Sequence, residues 1–306
     1  MVKVGILGAE TPMAGEIIRL LINHPETEIV SLFSPVFLGR NLSSLHHGFI
    51  GENTLNFTDK LNLDELDFLM ILQANEISQN IIDRFEEFEN LKLLIFEKDF
   101  PLEKLRKDFE IGISEINRKA LVRGAVKAYI PSPIVVLALI SLVPLANFLL
   151  LNSDIEIEVN IPDDLSKEFE ERVDAKKIEE ELKKHQSSFK GKVNLKILGD
   201  LHSERGIRTK ISFQSNLPLE EVEKIYDQIY DDHNFTFITR NNIDSKEVEG
   251  TQKTVISLKK PEENSLVIES VADARLRGGA GDAIHILNLF FGLHEKTGLT
   301  LKPSRY

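Results

Sequence analysis

Along roughly the first 130 residues, short apolar runs alternate with stretches in which apolar side chains recur every three or four positions. Val2–Leu7, Glu28–Phe33, Phe68–Leu72 and Leu91–Phe96 read as strands. Ile17, Ile18, Leu20, Leu21 and Ile22 fit an amphipathic helix, as do Ile77, Ile81, Ile82 and Phe85. This alternation implies right-handed crossovers and a doubly wound, mostly parallel sheet of Rossmann type. The pattern changes between about 150 and 272, where Ile207–Phe213 alternates cleanly and Val193–Leu198, Thr254–Leu258 and Leu266–Val271 do so over shorter spans. These read as antiparallel strands with one solvated face. Two helices interrupt them: a charge-rich one from Leu165 to His185, and one with Leu219, Val222, Ile225, Tyr226 and Ile229 at helical spacing behind Pro218. The tail from Arg277 to Leu293 is helical again. The expected fold is therefore α/β, a doubly wound parallel-sheet region followed by an α+β region with a mostly antiparallel sheet.

Ile130–Leu151 contains no charged residue and is just long enough to span a bilayer, which takes about 20 apolar residues. Pro131, Pro133 and Pro144 interrupt it and no basic anchor follows, so a helix buried between the two domains is expected instead. The net charge of −12 over 306 residues argues against a nucleic-acid binder. Met1–Gly8 enters a strand directly, without a basic-then-apolar leader, which suggests a cytoplasmic protein. The chain has no cysteine, which removes disulfides, cysteine-based metal sites and thiol nucleophiles. None of the eight histidines, among them His202 in a turn, shows paired ligand spacing, so no metal is expected. The mixed-sign run Lys167–Lys184 reads as a solvated helix face.

The first strand runs into Gly5-Ile6-Leu7-Gly8-Ala9-Glu10-Thr11-Pro12-Met13-Ala14-Gly15. A strand–Gly-x-x-Gly–helix start suits dinucleotide binding, because glycines let backbone approach a pyrophosphate and the helix start offers unpaired N–H groups. Thr11 stands where the third glycine belongs, so the match is partial and a plain strand-to-helix turn is the competing reading.

Longer stretches add a resemblance. Gly8–Pro25 resembles the opening of N-acetyl-gamma-glutamyl-phosphate reductase, with its G-A-S-G-Y-T-G loop before a G-E-L-L-R-L-L helix. Gly112–Arg118 is similar to that family's G-L-P-E-L-N-R, and Asp273–Ala283 to its D-N-L-V-K-G-A-A-G-Q-A. Gly292–Leu299 continues in register, and the related aspartate-semialdehyde dehydrogenases fit these stretches less well. The resemblance implies an NADP-dependent oxidoreductase of arginine- or lysine-type biosynthesis that reduces an acyl phosphate to a semialdehyde. In that chemistry a cysteine thiolate displaces phosphate, hydride transfer follows, and a histidine acts as acid and base. The resemblance assigns cofactor contacts to Gly5, Gly8, Ala9, Glu10, Thr11, Met13, Ser34, Gly278 and Gly279, and substrate contact to Arg205 in an R-G-I stretch. It also implies a division into residues 1–131 with 277–306 as a Rossmann-type dinucleotide-binding-like domain and residues 132–276 as the substrate and dimerisation domain.

Where the family carries its cysteine, in N-P-G-C-Y-P-T, this chain has Pro133 beside Ser132. Proline offers neither a nucleophile nor an N–H. At the histidine position stands Asp174 or Arg172, each read as a solvated helix-face charge that leaves Ser132 without a base. Glu10, Pro12 and Ala14 further depart from the loop pattern, and Phe33-Ser34-Pro35 lacks both the basic residue expected near an NADP 2′-phosphate and the acid that would hold a free ribose hydroxyl. Arg40 is read as a surface arginine. Three readings follow: a catalytically degenerate paralogue with a scaffold or regulatory role, a reductase with altered chemistry, or a sensor of an acidic metabolite. A homodimer is expected through the sheet face carrying Ile207, Ile211 and Phe213.

Overall fold

The computed structural model describes residues 1–306 except 53, 98–99, 101–107, 170, 200–202 and 304–306, and omits the side chain of Arg172. His202 lies outside the described residues. Among them the chain divides into two compact units, 1–131 with 279–300 and 132–278 with 301–303. The second crossing falls two residues later than expected, and the described tail from Leu301 joins the second unit.

The first unit is built on β1 (Val2–Leu7), α1 (Pro12–Ile22), β2 (Thr27–Phe33), β3 (Phe68–Ile71), α2 (Glu76–Asp83), β4 (Lys92–Phe96), β5 (Glu110–Ile111), α3 (Ser114–Val122) and β6 (Lys127–Ile130). The strands form one sheet in the order β2-β1-β3-β4-β6-β5, every pair parallel. The order reverses between β1 and β3, the switch point beside which folds of this kind bind ligands at the strands' carboxyl ends. Val4, Ile6, Leu69, Met70, Leu93 and Leu94 are buried, as both faces of a parallel sheet require. β5 and β6 extend the sheet beyond the strands read from the sequence. β6 runs straight into the long apolar segment, which hid it.

In the second unit come α4 (Pro133–Asn147), β7 (Ile155–Asn160), a helical turn Asp163–Ser166, α5 (Glu171–His185), β8 (Val193–Leu198), β9 (Gly206–Gln214), α6 (Leu219–Tyr230), β10 (Thr236–Thr239), β11 (Thr254–Lys259) and β12 (Ser265–Asp273). The sheet order is β10-β11-β12-β9-β7-β8. The three central pairs are antiparallel, while the outer pairs β10–β11 and β7–β8 are parallel, so the sheet is mixed. The apolar segment 130–151 becomes α4, whose 15 residues span about 22 Å at 1.5 Å each, short of a bilayer core. No helix among the described residues is long and apolar enough to cross a membrane. α4 lies inside the second unit, packed on β9, β12, α5 and α6, with every residue from Pro133 to Ala146 buried.

That packing corrects the expected dimer face. Ile207, Ile211 and Phe213 are buried against the unit's own α4, together with Ile157, Leu266 and Ile268 from neighbouring strands. The opposite face carries Glu156, Glu158, Lys210 and Lys196, all exposed. The final helix, α7 (Ala280–Phe290), returns to the first unit and packs on α1 and α3.

Candidate active site

In the first unit, β1 ends at Leu7 and the chain turns at Gly8, whose φ of +85° lies in the left-handed region that a side chain would strain. The N–H groups of Gly8 and Ala9 both donate to the Phe33 carbonyl, at 3.2 Å each. Thr11 is the N-cap of α1. Its Oγ1 accepts from the Ala14 N–H at 3.2 Å and donates to the Gly8 carbonyl at 2.9 Å, and its own N–H donates to that carbonyl at 3.1 Å. Pro12 occupies the first helical position and has no N–H. The His46 ring bonds the Ala9 carbonyl at 2.9 Å and lies against Gly15. Met13 is half-buried in the first turn. The Glu10 carboxylate oxygen Oε2 is shut from solvent with no hydrogen-bond partner among the described residues.

A nicotinamide dinucleotide needs unpaired N–H groups at this helix start for its pyrophosphate. The donors of Gly8, Ala9, Thr11 and Ala14 are already engaged, and the Glu10 carboxylate adds a like charge. Such repulsion at 4 Å is about 1 kcal/mol in water and about 4 kcal/mol near a protein surface. Ser34, at the end of β2, is buried, its N–H spent on the Thr58 carbonyl. Arg40 stacks on Phe37 at 5.5 Å, as expected of a surface arginine. These residues do not fit the dinucleotide.

In the second unit, Ser132 is the N-cap of α4, accepting from the Val135 N–H at 3.3 Å, with Pro133 at the first helical position. Ser132 Oγ donates to Asp174 Oδ1 at 3.2 Å, from a residue in the first turn of α5. Asp174 is buried at 3% exposure, and Lys177 Nζ lies 3.7 Å from the same oxygen. The reading of Asp174 as a solvated charge is therefore wrong. The mixed-sign helix turns Asp174, Lys177 and Glu181 inward, because it packs on α4 and β8 along that stripe. Gly278, φ +64°, packs so closely that a Cβ there would stand 2.5 Å from the Pro133 nitrogen and 2.9 Å from the Ser132 carbonyl carbon. Ser132, Pro133, Asp174 and Gly278 thus meet at one place. Gly279 begins α7 in the first unit.

Arg205 points its guanidinium onto Asp273, Nε donating to Oδ2 at 2.8 Å and Nη2 to Oδ1 at 3.3 Å. Asp273 is fully buried and also accepts from the N–H groups of Gly250, Arg275 and Leu276 at 2.7, 2.9 and 3.2 Å. The sequence reading missed Asp273 as Arg205's partner, although it heads one of the stretches on which the resemblance rests. No group of three or more metal-ligating side chains occurs among the described residues.

Comparison with known proteins adds kinship to this geometry. Residues 3–123 match the family model described as semialdehyde dehydrogenase, NAD binding domain. The chain is 33% identical over 326 aligned positions to the N-acetyl-gamma-glutamyl-phosphate reductase of Parabacteroides distasonis, each covering 100% of the other. It is 30% identical, again at full coverage, to the protein of that name from Christiangramia forsetii. Among solved structures, aspartate semialdehyde dehydrogenase II from Vibrio cholerae superposes with a TM-score of 0.71 at 13% identity, covering 95% of this chain and 98% of the other. The Candida albicans aspartate semialdehyde dehydrogenase with NADP gives 0.69 at 15% identity, covering 95% and 99%.

Proposed function

The chain belongs to the semialdehyde dehydrogenase family, among relatives of the N-acetyl-gamma-glutamyl-phosphate reductases, and we propose that within it this protein is a catalytically degenerate member with a scaffold or regulatory role. The observation that carries this reading is the meeting of Ser132 and Asp174 at 3.2 Å. The resemblance puts the thiol and its acid–base partner at these two segments, and they do approach each other in space. The groups that meet there lack the chemistry. Thioester formation needs a polarizable nucleophile that both attacks and leaves, with a base poised near the working pH. Pro133 supplies no nucleophile. The Ser132 hydroxyl is spent on capping α4 and on a carboxylate that Lys177 already neutralises.

This reading makes no covalent acyl intermediate. Intact-mass spectrometry of the protein incubated with N-acetyl-gamma-glutamyl phosphate tests it. The expected result is an unmodified chain, and an acyl adduct mapping to Ser132 would overturn it. Pro133→Cys alone leaves the protein inactive in the reductase assay, since Asp174 supplies no imidazole.

The protein also forms a homodimer in this reading, through the charged outer face of its second sheet rather than the buried one. Glu158 and Lys210 lie 3.6 Å apart across β7 and β9. A two-fold axis over that face pairs each sign with the other.

A further inference from the structure

We infer that the block to dinucleotide binding is set at the helix start by Glu10, Thr11 and Pro12, the bonds of Gly8 and Ala9 to the Phe33 carbonyl being the end of the β1–β2 pairing, and that the rest of the strand–turn–helix frame remains competent. This inference stands apart from the loss of the thiol, since it concerns a different unit. The frame keeps its working parts: β1 lies between β2 and β3 at the turning point of a parallel sheet. Gly8 holds the left-handed turn, and α1 runs a full 11 residues from the loop. What differs is three consecutive side chains at the helix start, each of which works against an incoming pyrophosphate in its own way. The Thr11 hydroxyl takes the Ala14 N–H, Pro12 has deleted one donor, and Glu10 places a negative charge beside a dipole end that would otherwise draw an anion. Each group acts on the pyrophosphate's requirements, and none is needed to hold the sheet.

Three substitutions reverse the three effects. Glu10→Ser removes the charge, Thr11→Gly removes the internal cap with little loss of stability, since glycine is itself tolerated at a helix N-cap, and Pro12→Ala restores an N–H. The experiment is a thermal-shift titration of the wild-type chain and the triple variant with NADPH and, separately, NAD, up to about 1 mM. The wild-type chain is expected to show no shift. The triple variant is expected to gain about 3 °C or more at the same concentration, as a ligand well above its dissociation constant produces. A wild-type shift at micromolar NADPH or NAD overturns the block. A folded triple variant, with unchanged circular dichroism, that stays silent overturns its confinement to these residues. If the triple variant does not fold, the double variant Glu10→Ser with Pro12→Ala, which keeps the Thr11 cap, is read by the same two outcomes. A wild-type chain that binds NADPH yet is never acylated would sink this inference alone and leave the loss of covalent chemistry standing.

Discussion

Arg205 illustrates how a residue's role depends on what it touches. From sequence it was a candidate for an acidic ligand; in the fold its fork closes on a fully buried carboxylate. Asp273 keeps its three backbone N–H donors when the guanidinium is removed, so Arg205→Ala is expected to lower unfolding free energy by about 1.5–3 kcal/mol, the worth of hydrogen bonds to a charged group, read by urea denaturation; an unchanged midpoint would mean that Arg205 does not hold Asp273 in the fold. Asp174 makes the same point in reverse: it reads as surface and is buried. Its neighbours Lys176, Glu180 and Lys183 are charged too, and helical spacing of charges does not tell which stripe faces inward once Lys177 can travel with it as a partner. Likewise the approach of Ser132 to Asp174 joins residues 42 positions apart, and the residues alone did not reveal it. Only the resemblance pointed to both segments.

The elements themselves were largely legible. Clean alternation at Ile207–Phe213 and three-to-four spacing around Leu20 each point to a single structure. β7 is absent from the strands read in the sequence although Ile155, Ile157 and Val159 alternate, because three apolar positions interleaved with glutamates make a short and weak run. α4 starts where it does because Ser132 caps it and Pro133 suits its first position. Ser132→Ala should cost about 1 kcal/mol, measurable as a lowered urea midpoint.

α7 anchors a polar network in the first unit. His285 bonds Glu295 at 2.9 Å, Arg118 bonds the other Glu295 oxygen, and His24 bonds Asn288 at 2.9 Å. The hydrogen bond from His285 is the main cause holding the Glu295 carboxyl down to about 2, against 4.5 ordinarily, with Arg118 adding to it. A depressed carboxyl contributes stability that is full above about 4.5 and is lost as pH falls toward 2. Burial also pushes His24 below its ordinary 6.5, so the unfolded chain takes up that proton first and stability begins to fall below 6.5. Glu295→Gln should destabilise the protein at pH 7 and make no difference near pH 2. Equal loss at both would mean the network acts through packing alone.

At the scale of the whole molecule, alternation told that one face of the second sheet is apolar but not what covers it. A chain's own helix and a second copy bury the same side chains, and only the packing of α4 decided between them. Ile211→Asp is thus expected to unfold the second unit, since it buries an unpaired carboxylate in the core, rather than to release monomers. Light scattering after size exclusion should give two chains, and Lys210→Glu, on the exposed face, should shift the mass toward one. A wild-type mass of one chain refutes the dimer.

The account rests above all on the loss of thiol chemistry at Pro133 and Asp174. The direct measurement follows NADPH formation from N-acetylglutamate semialdehyde and NADP, with and without phosphate. The account predicts no phosphate-dependent rate above background, because covalent catalysis without its nucleophile falls by orders of magnitude. Phosphate-dependent turnover of about 1 per second or faster would contradict it.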